Sequence, residues 1–128
     1  MLLDSNILIY AAENEGQFLS QWVENESACI ATLSRIEVLG FPRWHLLDEE
    51  RRTRLEMLVG SLPEIPLDEQ IITHTIDLRR QKKMSLADSI IAATALLHQL
   101  PLVTRNESDF SHIKRLEIIN PFSSQADA

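Results

Sequence analysis

Cysteine is almost missing from this 128-residue chain. Cys29 stands alone, which excludes a disulfide framework and any cysteine-built zinc site. Glycine (three residues) and proline (five) are too scarce for a collagen-like or glycine-rich architecture. Basic residues are in deficit, 12 against 19 acids, and the net charge of −7 argues against nucleic acid as a partner, since such binders are usually basic. Long hydrophobic runs are missing too. The longest nearly uncharged stretch, residues 84–104, is broken by Asp88 and carries Ser, Thr, His, Gln and Pro, so no membrane span is expected. Met1-Leu2-Leu3 meets Asp4 at once, without the basic region and apolar stretch of a secretory leader. A soluble protein of the reduced cytoplasm is the expectation.

What is present suits one folded unit. A 45% hydrophobic content is enough to bury a core, so disorder is not a sensible global reading. The expected organisation is one domain over residues 1–122 and a flexible polar tail over 123–128. Charge is spread unevenly. Residues 1–50 hold nine acids and two bases, whereas residues 51–128 hold ten of each.

Periodicity predicts short strands alternating with helices. Strands are expected at Leu2-Leu3, over 28–33, at Glu64-Ile65, over 101–104 and over 117–119. Residues 5–12 leave strand and helix open. Amphipathic helices are expected over 13–26, 48–59 and 68–81, and a shorter one from Ser34 to Gly40. The most apolar helix is expected over 85–99, and a helical turn over 109–113. This alternation argues for an α/β layer fold with a short, mainly parallel central sheet flanked by helices.

Four carboxylates stand where a bland sequence would not place them. Asp4 ends the first strand; Glu37 lies within the apolar 33–39 segment; Asp88 is the one charge between Lys83 and Arg105; Asp109 follows the fourth strand. In parallel α/β sheets the carboxyl ends of strands line the ligand crevice, so these acids are candidates to converge. Converging carboxylates repel unless a cation shares them, and oxygen-only ligands suit Mg²⁺ or Mn²⁺. Helix capping accounts for each acid taken singly. Ser34-x-x-Glu37 and Ser85-x-x-Asp88 match the capping-box spacing, Asp4 stands before a candidate helix, and Asn106 precedes Asp109. Capping does not ask for four such acids, and it leaves the isolation of Asp88 unexplained.

The segments carrying these acids resemble PIN domains. Leu3-Asp4-Ser5-Asn6 resembles the opening Asp-x-Asn of that family, and Ser34 to Gly40 its second acidic segment. Leu86-Ala87-Asp88-Ser89 resembles the third, Thr104-Arg105-Asn106-Glu107-Ser108-Asp109-Phe110 the fourth, and Ile119-Asn120-Pro121 the usual ending. The order and spacing are similar to the compact VapC-type toxins of prokaryotic toxin–antitoxin pairs. The resemblance implies a PIN-like three-layer fold and a Mg²⁺- or Mn²⁺-dependent endoribonuclease leaving 5′-phosphate and 3′-hydroxyl ends. It assigns Asp4, Glu37 and Asp88 as the core acidic trio. Asp109 is the fourth acid, and the Asn106 position is its rival for completing the site. Asn6 is expected to orient Asp4, with Thr104 as a hydroxyl beside it. Ser5 stands where Thr is common. The resemblance further implies a small VapB-like antitoxin and a homodimer.

Bases are available for an RNA backbone: Arg79, Arg80, Lys82 and Lys83 before the Asp88 helix, then Arg105, Lys114 and Arg115. A solvated helix end explains the first group equally well. Arg51, Arg52 and Arg54 alternate with acids and are expected in surface pairs. Two other readings stay open at this point: a PIN-fold scaffold without catalysis, and a phospho-acceptor receiver domain. The second fits poorly, because the first strand ends in one acid and Lys114 lies outside an obvious strand.

Overall fold

Strands of two residues can still be specific when each residue faces a different core. In the computed structural model, which describes residues 1–123, β1 (Leu2–Leu3), β2 (Ile30–Ala31), β3 (Glu64–Ile65), β4 (Leu102–Val103) and β5 (Ile118–Ile119) all run parallel. β1, β4 and β5 pair in that order, β2 pairs with β3, and a bridge between Leu2 and Cys29 joins the two sets. Leu3, Ile30 and Val103 face one core while Leu2, Ala31 and Leu102 face the other. Side chains alternate across a strand, so a sheet buried on both faces needs apolar residues at every position. The sequence supplies them in every strand but β3, where Glu64 is exposed.

Helices cover both faces, giving three layers. The first core packs α1 (Ser5–Ala11), α2 (Ser20–Val23), α3 (Thr32–Leu39) and α4 (Glu49–Ser61) through Ile7, Leu8, Val23, Val38, Leu55 and Val59. The second packs α6 (Leu86–Leu97) and the 110–116 segment through Ile91, Ala92, Ala95, Phe110, Ile113 and Leu116. α5 (Glu69–Gln81) joins it as the antiparallel neighbour of α6, with Leu78 packed against that core. Asp48, Asp68 and Ser85 cap α4, α5 and α6, each accepting an N–H three residues on.

Several expectations shift. The helix expected over 13–26 is a 3₁₀ helix (Asn14–Leu19) followed by the single turn of α2. Gly16 explains the tightness, because a Cβ there would lie 1.7 Å from the Tyr10 carbonyl oxygen. The strand expected over 28–33 ends at Ala31, where α3 begins. Thr32 donates to Glu64 Oε2 (2.9 Å) and ties this junction to β3. The turn expected over 109–113 is a 3₁₀ turn at Glu107–Asp109. The open choice at 5–12 resolves as helix α1. Arg51, Arg52 and Arg54 do more than pair along α4. Arg51 reaches Glu13 (2.7 Å), Arg54 the Ala12 carbonyl (2.9 Å) and Arg52 the Trp44 carbonyl (3.0 Å), which fastens α4 to neighbouring segments. In the tail expected over 123–128, Ser123 is exposed and residues 124–128 lie outside the described residues.

Ser34 does not cap α3, which starts two residues earlier after Ala31. Its hydroxyl is fully buried with no hydrogen-bond partner among the described residues. Ser34→Ala therefore relieves a buried orphan and is expected to stabilise the protein by about 1 kcal/mol, read as a raised urea midpoint. A clear loss of stability would show that the hydroxyl has a partner.

Candidate active site

The four acids arrive from separate pieces of chain. Asp4 leaves the carboxyl end of β1, Glu37 lies on α3, Asp88 sits in the first turn of α6, and Asp109 closes the 3₁₀ turn after β4. Asp4 is the buried member, 5% exposed. Its Oδ1 accepts from the Ser5 N–H (2.8 Å) and its Oδ2 from the Thr104 hydroxyl (2.8 Å). The Asn106 N–H in turn donates to Thr104 Oγ1 (3.1 Å), so the residues after β4 are tied to Asp4. Glu37 is steadied from α1, where the Ser5 hydroxyl donates to its Oε1 (2.6 Å).

Electrostatics show that the four share one region. Burial pushes Asp4 up to about 6. The Thr104 and Ser5 hydrogen bonds oppose that rise, and the charges of Asp88 and Glu37 add to it. Asp88 is also raised, first by desolvation, against the Ser85 hydrogen bond, with Asp109 and Glu37 adding repulsion. None of the four is ion-paired to Lys or Arg among the described residues. A buried carboxylate facing other carboxylates, with no base to neutralise it, is costly and draws a cation.

Capping and site membership turn out to be compatible. Asp4 caps α1 and still faces the other acids. Ser85 caps α6 by accepting from the Asp88 N–H (3.1 Å), and Asp88 still feels the charges of Glu37 and Asp109. Glu37 lies beyond the first turn of α3 and caps nothing, and Asn106 makes no side-chain cap. Asn6 departs from expectation. It is exposed and makes no hydrogen bond to Asp4 among the described residues; Ser5 and Thr104 do that work. The Thr104 hydroxyl stands beside Asp4 as the resemblance implied, although the two lie 100 residues apart in the chain.

The donor set is all oxygen, which fits a hard divalent cation. As the side chains stand, no three acidic, His or Cys groups among the described residues converge enough to wrap one ion. The candidate RNA contacts are scattered by comparison. Arg79, Arg80, Lys82 and Lys83 are exposed at the end of α5 and the turn into α6. Arg105 stacks on Tyr10 and Phe122 (4.9 and 4.6 Å to the ring centres) and donates to the Tyr10 hydroxyl.

No curated protein matches the chain by sequence. Among solved structures it is similar to a chain of a toxin–antitoxin complex from Klebsiella pneumoniae, at 31% identity and a TM-score of 0.71, over 94% of this chain and 96% of that one. DNA-bound VapBC from Salmonella typhimurium shares the fold at 22% identity and a TM-score of 0.79, covering 94% and 96%. FitAcB from Neisseria gonorrhoeae does so at 23% and 0.72, covering 94% and 97%. A receiver domain is thereby set aside. The PIN domain model matches residues 1–116, and with this end-to-end likeness the chain belongs to the PIN domain family.

Proposed function

We propose that the chain is a Mg²⁺- or Mn²⁺-dependent endoribonuclease, the toxin of a toxin–antitoxin pair. PIN domains are nucleases, and one observation supports placing the chemistry here: the charges of Asp88 and Glu37 add to the cost of ionising Asp4, those of Asp109 and Glu37 add to that of Asp88, and none of the four acids is paired to Lys or Arg among the described residues. Asp4 and Asp88 are the residues that would hold the ion, with Glu37 and Asp109 acting directly or through water. A bound ion lowers the pKa of water and offsets phosphate charge. The protein's share is positional. Thr104 and Ser5 fix both oxygens of Asp4, and Ser5 turns Glu37 toward the same cleft. No nucleophilic side chain is needed, which accords with the lack of a Ser–His or Cys–His pair in the site.

Two surfaces support the partner readings. A groove of about 760 Å³ between α2 and α4, lined by Val23, Ala28, Met57, Leu58 and Leu62, offers an apolar bed for a small VapB-like antitoxin. Met57 is 70% exposed there with nothing covering it. Ile36, Ile76 and Leu86 are also exposed, and Ile36 and Leu86 neighbour Glu37 and Asp88 in sequence. A homodimer that buried Ile36 and Leu86 would bring its seam close to Glu37 and Asp88. Among the described residues no helix is long and apolar enough to cross a membrane, and a cytoplasmic location completes the proposal.

The test is direct. Purified protein incubated with single-stranded RNA should cut it in Mg²⁺, stop in EDTA and resume on adding Mg²⁺ back, leaving 5′-phosphate ends. Cleavage that persists in EDTA with pure protein would overturn the proposal.

A further inference from the structure

The sheet ends where the carboxylates begin. The Asp4 N–H donates to the Val103 carbonyl (2.9 Å) and the Thr104 N–H to the Ile119 carbonyl (3.0 Å); β4 itself stops at Val103. Residues 105–109, which carry Asn106 and Asp109, have left the ladder and need another hold. Arg105 supplies one in two directions. Its guanidinium lies over the rings of Tyr10 and Phe122 (4.9 and 4.6 Å) and donates to the Tyr10 hydroxyl. Its carbonyl accepts from Asn120 Nδ2 (3.3 Å), and Asn120 Oδ1 in turn accepts the Phe122 N–H (2.9 Å). One residue is thus fastened to α1 by its side chain and to the chain after β5 by its backbone.

The rings it rests on are themselves anchored. Phe122 meets Tyr10 and Phe18 edge to face, each at 5.2 Å between centres, and Phe18 and Phe122 pack against the first core. Asp4 caps α1, and Tyr10 lies in its last turn, six residues on, about 9 Å at the α-helical rise. Thr104 and Arg105 are consecutive and grip these two points. A single bond to Asp4 would leave the junction free to swing about it, whereas a second grip further along the same helix fixes its orientation. The surroundings of Arg105 do not favour a phosphate. Glu13 and Glu15 line the hollow beside it, and Glu13 is already taken by Arg51 (2.7 Å).

We propose that Arg105 is a positioning residue for the carboxylate cleft: braced on Tyr10 and Phe122, it holds the junction after β4 so that the Thr104 hydroxyl stays on Asp4 and Asn106 and Asp109 stay at the site. Its consequence for cleavage rests on the nuclease reading; the brace itself does not. Arginine suits the task because a planar guanidinium can lie on aromatic faces and donate in its own plane at the same time. Arg105 pairs with no acid among the described residues and acts on Asp4 through Thr104. Small misplacement of such a group costs rate more than substrate binding.

Arg105→Ala and the milder Tyr10→Phe are compared with the wild type in two measurements, with thermal melts alongside. In metal-free protein, solvent-exchange NMR follows the Asn106 amide, whose acceptor is the Thr104 hydroxyl (3.1 Å). Arg105→Ala should speed its exchange about tenfold while the amides of α5 stay within about twofold, and Tyr10→Phe should act in the same direction. In Mg²⁺, Arg105→Ala should lower kcat for single-stranded RNA about tenfold and leave KM within about twofold. Thr104→Val should absorb this effect, so that adding Arg105→Ala to it lowers kcat by no more than about twofold. Unchanged exchange at Asn106, a raised KM with kcat intact, additive losses with Thr104→Val, or a melt lowered by more than about 5 °C would overturn the proposal. If the wild-type protein cuts RNA and Asn106 exchanges normally in Arg105→Ala, the brace fails alone. If Arg105→Ala loosens Asn106 but the wild-type protein cuts nothing, the nuclease reading fails and the brace stands.

Discussion

Asp4→Asn is expected to abolish cleavage and, in the absence of metal, to make the protein more stable. Asp4 is held near 6 in the fold against an ordinary 3.8, so the folded state favours its neutral form. A raised folded pKa contributes stability that is complete below about 3.8 and is lost as pH rises through about 6. Above that the ionised carboxylate costs up to about 3 kcal/mol. Asparagine keeps an oxygen for the Ser5 N–H and can turn its amide toward Thr104, whose hydroxyl also accepts. In EDTA, urea midpoints of variant and wild type should agree near pH 4 and separate progressively up to pH 7, with the variant ahead. Activity moves the opposite way. Losing one of two direct carboxylates should lower kcat by on the order of 10²- to 10⁴-fold. A wild-type advantage at pH 7 in EDTA would show that Asp4 is a structural acid rather than one kept for an ion.

Phe110→Ala is expected to be the most damaging single truncation. Phe110 is fully buried among Leu2, Ile91, Ala95, Ile113 and Leu116 and leads the buried side chains in volume. Emptying that space should cost about 3–5 kcal/mol, against a total of roughly 5–15 for a domain. The melting temperature should fall by about 10–25 °C. Phe110 also follows Asp109 directly and donates its N–H to the Glu107 carbonyl (3.0 Å), so the fourth acid rides on this anchor. Asp109→Asn separates the two roles. It should reduce cleavage while leaving the melt within about 2 °C, because the carboxylate is exposed. If Phe110→Ala melts like the wild type, the second core does not depend on this ring.

Much of this was readable from the chain because it is written locally. Leu2-Leu3, Ile30-Ala31 and Leu102-Val103 announce a sheet buried on both sides, since they are apolar at consecutive positions where a half-exposed strand would alternate. Asp48, Asp68 and Ser85 mark helix starts by their own chemistry. The four acids stood out because an isolated charge such as Asp88 is expensive in apolar surroundings. What was not readable depends on distant residues. Gly16 gives no local hint that Tyr10 will press against it, so the 13–26 segment looked like an ordinary helix. The resemblance offered both Asn6 and Thr104 beside Asp4, but which of them bonds it depends on the β1–β4 pairing, which brings in Thr104 and leaves Asn6 exposed. Lys114 and Arg115 follow Asp109 in the chain, yet they line a depression with His74 and Leu96, which the sequence does not announce.

The β1–β4 pairing sets a clock on when the protein becomes competent. Leu2 pairs with Leu102, and the hydroxyl that completes Asp4 comes from Thr104. At elongation rates of about 5–20 residues per second, the first strand waits roughly 5–20 seconds on the ribosome for its partner. Through that interval Asp4 has neither its buried setting nor its second hydrogen bond. Pairings this distant in sequence are also slow to form once available. The nascent chain therefore carries its acids unassembled until residues 102–104 have been made.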